Sequence, residues 1–274
     1  MARIHPLACV DAAAHIADDV EIGPFCVISS DVSIAAGCSL SAHVHVTGHT
    51  EIGTRTSVHS FAALGGPPQS LGYRGGPTRL IIGANCRIRE GVTVSTGTED
   101  GGGITRVGDN CFLMAGSHVA HDCVVGNNVI FANNAVLGGH VHVGDDVVFG
   151  GQAAVRQFCR VGDGAMIVGV SGVRADVIPF GLASGPLAHL VGLNAVGLRR
   201  RGISREQIHN LRRGYQALFA GAGVFRDRVD QVAEEFAEDP LVQRVIAFIR
   251  AGGNRALSMP ASWPDRSETA DGIA

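Results

Sequence analysis

The sequence predicts a mainly β protein: a triangular parallel β-solenoid of six-residue repeats, followed by a small C-terminal α-helical unit. Three observations carry this prediction. Aliphatic residues recur every six positions over most of residues 1–178. Glycine accounts for 38 of 274 residues while aromatics make up only 5%, which suits short strands joined by tight corners around an aliphatic interior. Beyond about Val177 the six-residue period gives way to helical spacing.

The repeat begins at Ile4 and continues through Val10, Ile16, Ile22, Ile28, Ile34, Leu40, Val46, Ile52, Val58 and Leu64. It returns at Ile82, Ile88 and Val94, shifts phase once, and then runs from Val107 to Val173. No amphipathic helix has that period. Four positions after each aliphatic residue stands a second small or β-branched one, such as Val20, Cys26, Val32 and Cys38. A unit with two inward residues and a Gly- or Asn-rich corner makes one face of a prism. Three faces close a coil of about 18 residues, and coils stack at the parallel-strand spacing of about 4.8 Å. Cys26, Cys38, Cys86, Cys111, Cys123 and Cys159 all occupy the second inward slot, so they read as packing residues rather than ligands or nucleophiles.

Two segments break the period. Residues 65–79 are rich in proline and glycine, which would interrupt a ladder, and residues 96–104 account for the phase shift. Both read as loops thrown outward, where regular folds place binding chemistry. The solenoid then spans residues 1–178 and the helical unit residues 179–257. Ser204-Arg-Glu-Gln207 has capping-box form ahead of Ile208, Leu211, Tyr215, Leu218 and Phe219. A second helix is expected over about 226–237, and a third carries Val242, Val245, Ile246 and Ile249. These helices cap the exposed last coil, as a solenoid requires. Residues 258–274 read as a disordered tail.

Composition narrows the function classes. A formal charge of −3 argues against a nucleic-acid binder carried by bulk electrostatics. No apolar run reaches the roughly 18–20 residues of a transmembrane helix, and Met1-Ala-Arg-Ile-His-Pro6 lacks a signal-peptide core. The seven cysteines are odd in number and form no CxxC, so a reduced, cytoplasmic protein is expected. All 22 basic residues are arginine, so any cationic contact to phosphate uses a guanidinium fork.

Titratable residues interrupt the repeat at one place. With Val119 inward, His121 falls outside the filled interior and near a corner, with Asp122 directly after it and His118 ending the preceding hexad. His140 follows one coil later, so stacking brings it close to His121 on the outer wall. His43, His45, His49 and His59 read as merely solvated.

The run His118-Val-Ala-His-Asp-Cys123, with Asn133-Asn134, Gly139-His140, Gln157-Phe-Cys159, Asn194 and Gly197-Leu-Arg-Arg-Arg-Gly202, resembles the acyl-carrier-protein-dependent UDP-N-acetylglucosamine O-acyltransferases. These hexapeptide-repeat enzymes perform the first acyl transfer of lipid A biosynthesis. The resemblance covers nearly the whole chain, including both loops and the helical unit. It implies a left-handed β-helix, a hand that the general crossover rule would not give. It also implies a homotrimer acting on an R-3-hydroxyacyl carrier protein and a UDP-sugar, with no cofactor and no metal.

The same resemblance assigns roles. His121 matches the general base, Asp122 its orienting carboxylate, and the Gly139 N–H the oxyanion donor. His118, His140 and Gln157 match substrate-contacting positions, as do Gln69, Ser70 and Tyr73 of the first loop. Asn194, Arg200 and Arg201 match residues near the nucleotide, and Gly169 matches the position that measures acyl length, left open here for a long chain.

Four departures bear on the acceptor. The family commonly reads Gln-Asp-Leu-Lys-Tyr in the first loop, where this chain has Gln69-Ser-Leu-Gly-Tyr73. Arg156 replaces a common histidine and Val196 a common glutamate. Transfer to the 3-amino analogue of the sugar, giving an amide, is therefore an alternative to ester formation. Two rival classes stand beside these. One is a carbonic-anhydrase-like zinc enzyme of the same fold, using His118, His121 and His140 as ligands. The other is a non-catalytic scaffold binding through its flat faces.

Overall fold

A computed structural model of the chain describes residues 1–261. Short parallel strands form three sheets of 11, 9 and 8 strands, and the chain visits them in rotation, one strand per face. In regular coils the partner lies one turn on, as in Ile130 with Val148 and Val124 with His142. Across the first loop Ser57 pairs with Arg87, and across the second Arg87 pairs with Phe112. The first offset is a multiple of six and keeps the phase. The second is one more than a multiple of six and produces the shift seen in the sequence.

The interior is a set of stacked columns. Ile22, Leu40, Val58, Ile88, Leu113, Phe131, Phe149 and Ile167 line the first sheet, all buried, and Phe131 stacks on Phe149 at 4.7 Å. Each such side chain contributes roughly 1.5–3 kcal/mol through burial. The six repeat cysteines are buried. Most of their thiols also satisfy a corner carbonyl, as Cys38 Sγ does with Gly53 O at 3.1 Å and Cys123 Sγ with Gly138 O at 3.1 Å.

Corners between sheets carry residues in the left-handed backbone region, many of them Asn or Asp, which tolerate it best among residues with side chains. Phe25, His43 and Phe61 share one such corner and stack as a ladder at 4.9 and 5.0 Å. His43 is thus held between two rings rather than merely solvated.

The solenoid extends past residue 178. Gly181–Ser184 adds in parallel to Met166–Ile167, and His189–Leu193 closes back antiparallel on it. A reversing strand has no hexad to show, so the sequence period ends before the sheet does. Among the described residues four helices follow: α1 (Ala195–Arg200), α2 (Arg205–Ala220), α3 (Phe225–Glu235) and α4 (Pro240–Gly252). Ser204 forms the capping box with Gln207 at the start of α2. Leu211 and Leu218 of α2 and Val242 and Val245 of α4 surround Ile178 and Leu193, covering the apolar end of the last coil.

The segment after α4 turns back onto the solenoid. Leu257 bridges to Asp176 and Pro260 to Leu190, and Ser258 is buried, donating its hydroxyl to Ala175 O at 3.2 Å. Residues 258–261 are therefore fastened rather than disordered, because Asp176 and Leu190 offer them backbone partners. The remainder of the expected tail, residues 262–274, lies outside the described residues. Among the described residues no helix is long and apolar enough to cross a membrane.

Candidate active site

One edge of the prism, between the second and third sheets, collects the chemistry. Asp122, His140 and Phe158 stand above one another at this corner in successive coils, each with positive φ. The His140 ring stacks on Phe158 at 4.5 Å and meets His121 edge-on at 5.1 Å. Both loops leave the solenoid at this same edge, joining strands Ala63–Gly66 to Arg79–Ile82 and Thr93–Ser95 to Ile104–Val107.

The Asp122 side chain is 1% exposed and fully engaged. Its Oδ2 accepts from His121 Nδ1 at 2.8 Å and from the Thr98 hydroxyl at 2.7 Å, while Oδ1 accepts the Thr98 N–H at 2.9 Å. Its own N–H donates to Thr105 Oγ1 at 2.8 Å. A carboxylate only accepts, so His121 carries its proton on Nδ1 and leaves Nε2 free to take one. The His121 side chain is 13% exposed, enough to meet a substrate while largely screened from water.

Gly139 lies directly under that ring. A Cβ there would come within 2.7 Å of His121 Nε2, so only glycine lets the imidazole occupy this place. Among the described residues the Gly139 N–H has no hydrogen-bond partner. His118 sits beside the pair with Nδ1 2.7 Å from Thr93 Oγ1. Burial pushes its imidazole below the ordinary range, against the pull of Thr93 and with a smaller push from His121.

Among the described residues His118, His121 and His140 do not gather as a three-histidine set. The ligand atoms that gather within 4.8 Å of one another belong to His121, Asp122 and His140, with Asp122 in the place expected of His118. Both Asp122 oxygens already receive protein donors, as suits a carboxylate that orients a base.

The expected substrate residues are spread over three edges of one chain. Gln157 shares the His121 edge, and the first loop departs from it with Gln69 exposed and Ser70 and Tyr73 half-buried. Gly169 lies at the next edge, between the first and second sheets, where a Cβ would stand 3.1 Å from Gly151 O. Asn194, Arg200 and Arg201 lie at the remaining edge. There Asn194 caps α1 and donates to Gly164 O at 2.9 Å, and Arg201 pairs with Asp146 at 3.4 Å. The sequence reading missed Thr98 and Thr105, whose contacts cross 24 and 17 positions with no periodic signal.

Known proteins resemble this chain over nearly its whole length. A family profile described as UDP-N-acetylglucosamine O-acyltransferase, domain 2, matches residues 176–257, and one for bacterial transferase hexapeptide repeats matches residues 13–48 and 104–139. An acyl-[acyl-carrier-protein]–UDP-N-acetylglucosamine O-acyltransferase of Azorhizobium caulinodans is 53% identical over 261 residues, 95% of this chain and 96% of that one. The enzyme of the same description from Caulobacter vibrioides is 51% identical, covering 94% of this chain and 98% of its own. The solved UDP-N-acetylglucosamine O-acyltransferase of Moraxella catarrhalis superposes with a TM-score of 0.90 at 39% identity, over 93% of this chain and 99% of that one. The fold is the left-handed parallel β-helix of these enzymes. By identity, coverage and architecture together, the chain belongs to the family of acyl-carrier-protein-dependent UDP-N-acetylglucosamine O-acyltransferases.

Proposed function

We propose that the chain moves an R-3-hydroxyacyl group from the thioester of acyl carrier protein to the 3-hydroxyl of UDP-N-acetylglucosamine, opening lipid A synthesis, as a cytoplasmic homotrimer. The observation that carries this reading is the His121–Asp122 hydrogen bond, which leaves Nε2 free to take a proton beside Gly139, whose N–H has no partner among the described residues. A sugar hydroxyl is a poor nucleophile near neutral pH and needs such a base.

In this reading His121 Nε2 takes the hydroxyl proton as the sugar oxygen attacks the thioester carbonyl. Asp122 steadies the imidazolium that forms, and the Gly139 N–H receives the oxyanion. Collapse of the tetrahedral intermediate breaks the carbon–sulfur bond. The departing thiolate takes the proton back from His121, so the base is restored.

The homotrimer rests on the three-edge distribution. His121, Gly169 and Arg201 stand at different edges of one prism, so no single chain turns all three toward one substrate. Parallel solenoids packed side by side set edges of neighbouring copies against each other and give the concavity that a sugar nucleotide needs. The test of activity is product mass from purified protein, hydroxyacyl carrier protein and UDP-N-acetylglucosamine. Absence of the 3-O-acyl product rejects the reading. For the assembly, light scattering on the active protein is expected to give three copies, and an active monomer rejects it.

A further inference from the structure

The second loop does two things with two adjacent residues. Thr98 supplies both of its donors to Asp122, the N–H at 2.9 Å and the hydroxyl at 2.7 Å. Gly101 closes over the same carboxylate so tightly that any side chain there would collide with it. Glu99 serves the other loop: its Oε1 accepts the N–H of Gly76 at 2.7 Å and of Arg74 at 3.2 Å. The Arg74 guanidinium reaches Asp100 at 3.3 Å, and Thr78 Oγ1 bonds Thr96 Oγ1 at 2.9 Å. The returning arm of the loop that carries Gln69, Ser70 and Tyr73 is thereby fastened to the piece of chain that holds Asp122.

We propose that Thr98 and Glu99 are positioning residues that tie the acceptor loop to the catalytic pair, Thr98 acting through Asp122 and Glu99 through the first loop. The proposal rests on His121 being the base and on the first loop contacting the acceptor. Thr98 occupies one lone pair on each Asp122 oxygen beside the one that His121 uses, and so keeps the carboxylate from rotating away. Glu99 replaces, by a clamp from behind, part of the order that the missing acidic and basic residues at positions 70 and 72 no longer supply. Its own N–H, then those of Gly76 and Arg74 and the Arg74 charge, hold the Glu99 carboxyl below the ordinary range against partial desolvation, so the clamp is anionic.

The two roles separate in steady-state kinetics of the full chain, with UDP-N-acetylglucosamine varied at saturating hydroxyacyl carrier protein. Thr98→Val is expected to lower kcat about tenfold or more, the worth of a hydrogen bond to a charged group, while the acceptor KM stays within about twofold. Thr98→Ser is expected to restore kcat. Glu99→Ala is expected to raise the acceptor KM about tenfold with kcat within about threefold, and Glu99→Gln to recover part of that loss. Thermal melting of each variant identifies any that unfold, and the conservative pair Thr98→Ser and Glu99→Gln then decides against doubly conservative losses. Wild-type kcat and KM in both Thr98→Val and Glu99→Ala overturn the proposal, as does an equal loss of both parameters in each. A His121→Ala protein of wild-type rate would instead remove the base itself and take the proposal with it.

Discussion

His121 and Asp122 are neighbours in sequence, yet their side chains meet at 2.8 Å because Asp122 takes the left-handed conformation, φ 60°, at the corner. In a strand, adjacent side chains point to opposite faces. The corner cancels that alternation and turns a dipeptide into an acid–base pair. Aspartate is one of few residues that enters this backbone region readily while carrying a carboxylate.

His121→Ala is expected to lower kcat by about 10²–10⁴ while leaving the protein folded, because the ring lies outside the packed interior. Asp122→Asn removes the acceptor that fixes the Nδ1–H tautomer and should fall in the same range. Near-normal turnover in His121→Ala would dismiss the residue from the chemistry.

His118 gives a pH dependence of stability. Its folded-state pKa is depressed by burial, so between its ordinary value of about 6.5 and that lower value the unfolded chain binds more protons than the folded one. Stability is therefore lost as pH falls through this window and is flat above it. Urea midpoints from pH 5 to pH 8 should show His118→Gln losing less on acidification than the parent chain. Parallel curves for the two proteins would contradict the assignment.

Asp176 holds the segment that follows α4. Its carboxylate, 3% exposed, accepts Arg160 Nε at 2.7 Å, Arg160 N–H at 2.7 Å and Arg255 Nε at 3.1 Å. Asp176→Ala should cost about 1.5–3 kcal/mol, the range for hydrogen bonds to a charged group, since both arginines retain some access to water. The readout is the denaturation midpoint, together with protease sensitivity near Leu257. An unchanged midpoint would mean that the segment after α4 is held by packing alone.

Much of this was legible in the sequence, for a physical reason. Every inward slot of a prism must be filled, so Ile22, Leu40 and Val58 declare the coil, and the coil length places His140 beside His121. The loops obey no period. Nothing in Thr96-Gly-Thr-Glu-Asp100 announces that Thr98 bonds a carboxylate 24 positions on or that Glu99 clamps the other loop. The short helix α1 was equally silent, because Gly197 stands inside it and its cap, Asn194, also bonds Gly164 of the solenoid. Arg201, which the resemblance sets near the nucleotide, pairs with Asp146 at 3.4 Å, a contact 55 positions back that no period announces.

Gly169 should limit acyl length. Replacement by Met fills space at the edge beside Gly151 and should shift preference toward shorter hydroxyacyl carrier proteins. Excluding four methylenes costs about 3 kcal/mol at roughly 0.8 kcal/mol each, a factor of about 150 in kcat/KM for the longest donor. The same chain-length profile in parent and Gly169→Met would place the limit elsewhere.

The last prediction concerns the acceptor. Ser70 and Gly72 stand where the family commonly has an acid and a base, and that change opened the 3-amino sugar as an alternative. The assembled pair argues for the hydroxyl. An amine is the better nucleophile and needs little base assistance, whereas a hydroxyl depends on it, and here His121 is held by Asp122, which is itself held twice by Thr98. Ser70 keeps a half-buried hydroxyl, bonded only weakly by the Gly72 N–H at 3.3 Å, that donates to or accepts from a sugar oxygen. With one acyl donor, kcat/KM for UDP-N-acetylglucosamine is therefore expected to exceed that for its 3-amino analogue. His121→Ala should narrow the gap, because the hydroxyl loses more than the amine. If the amine sugar is preferred by the parent chain and is equally impaired by His121→Ala, the base serves amide formation and ester transfer is the side reaction.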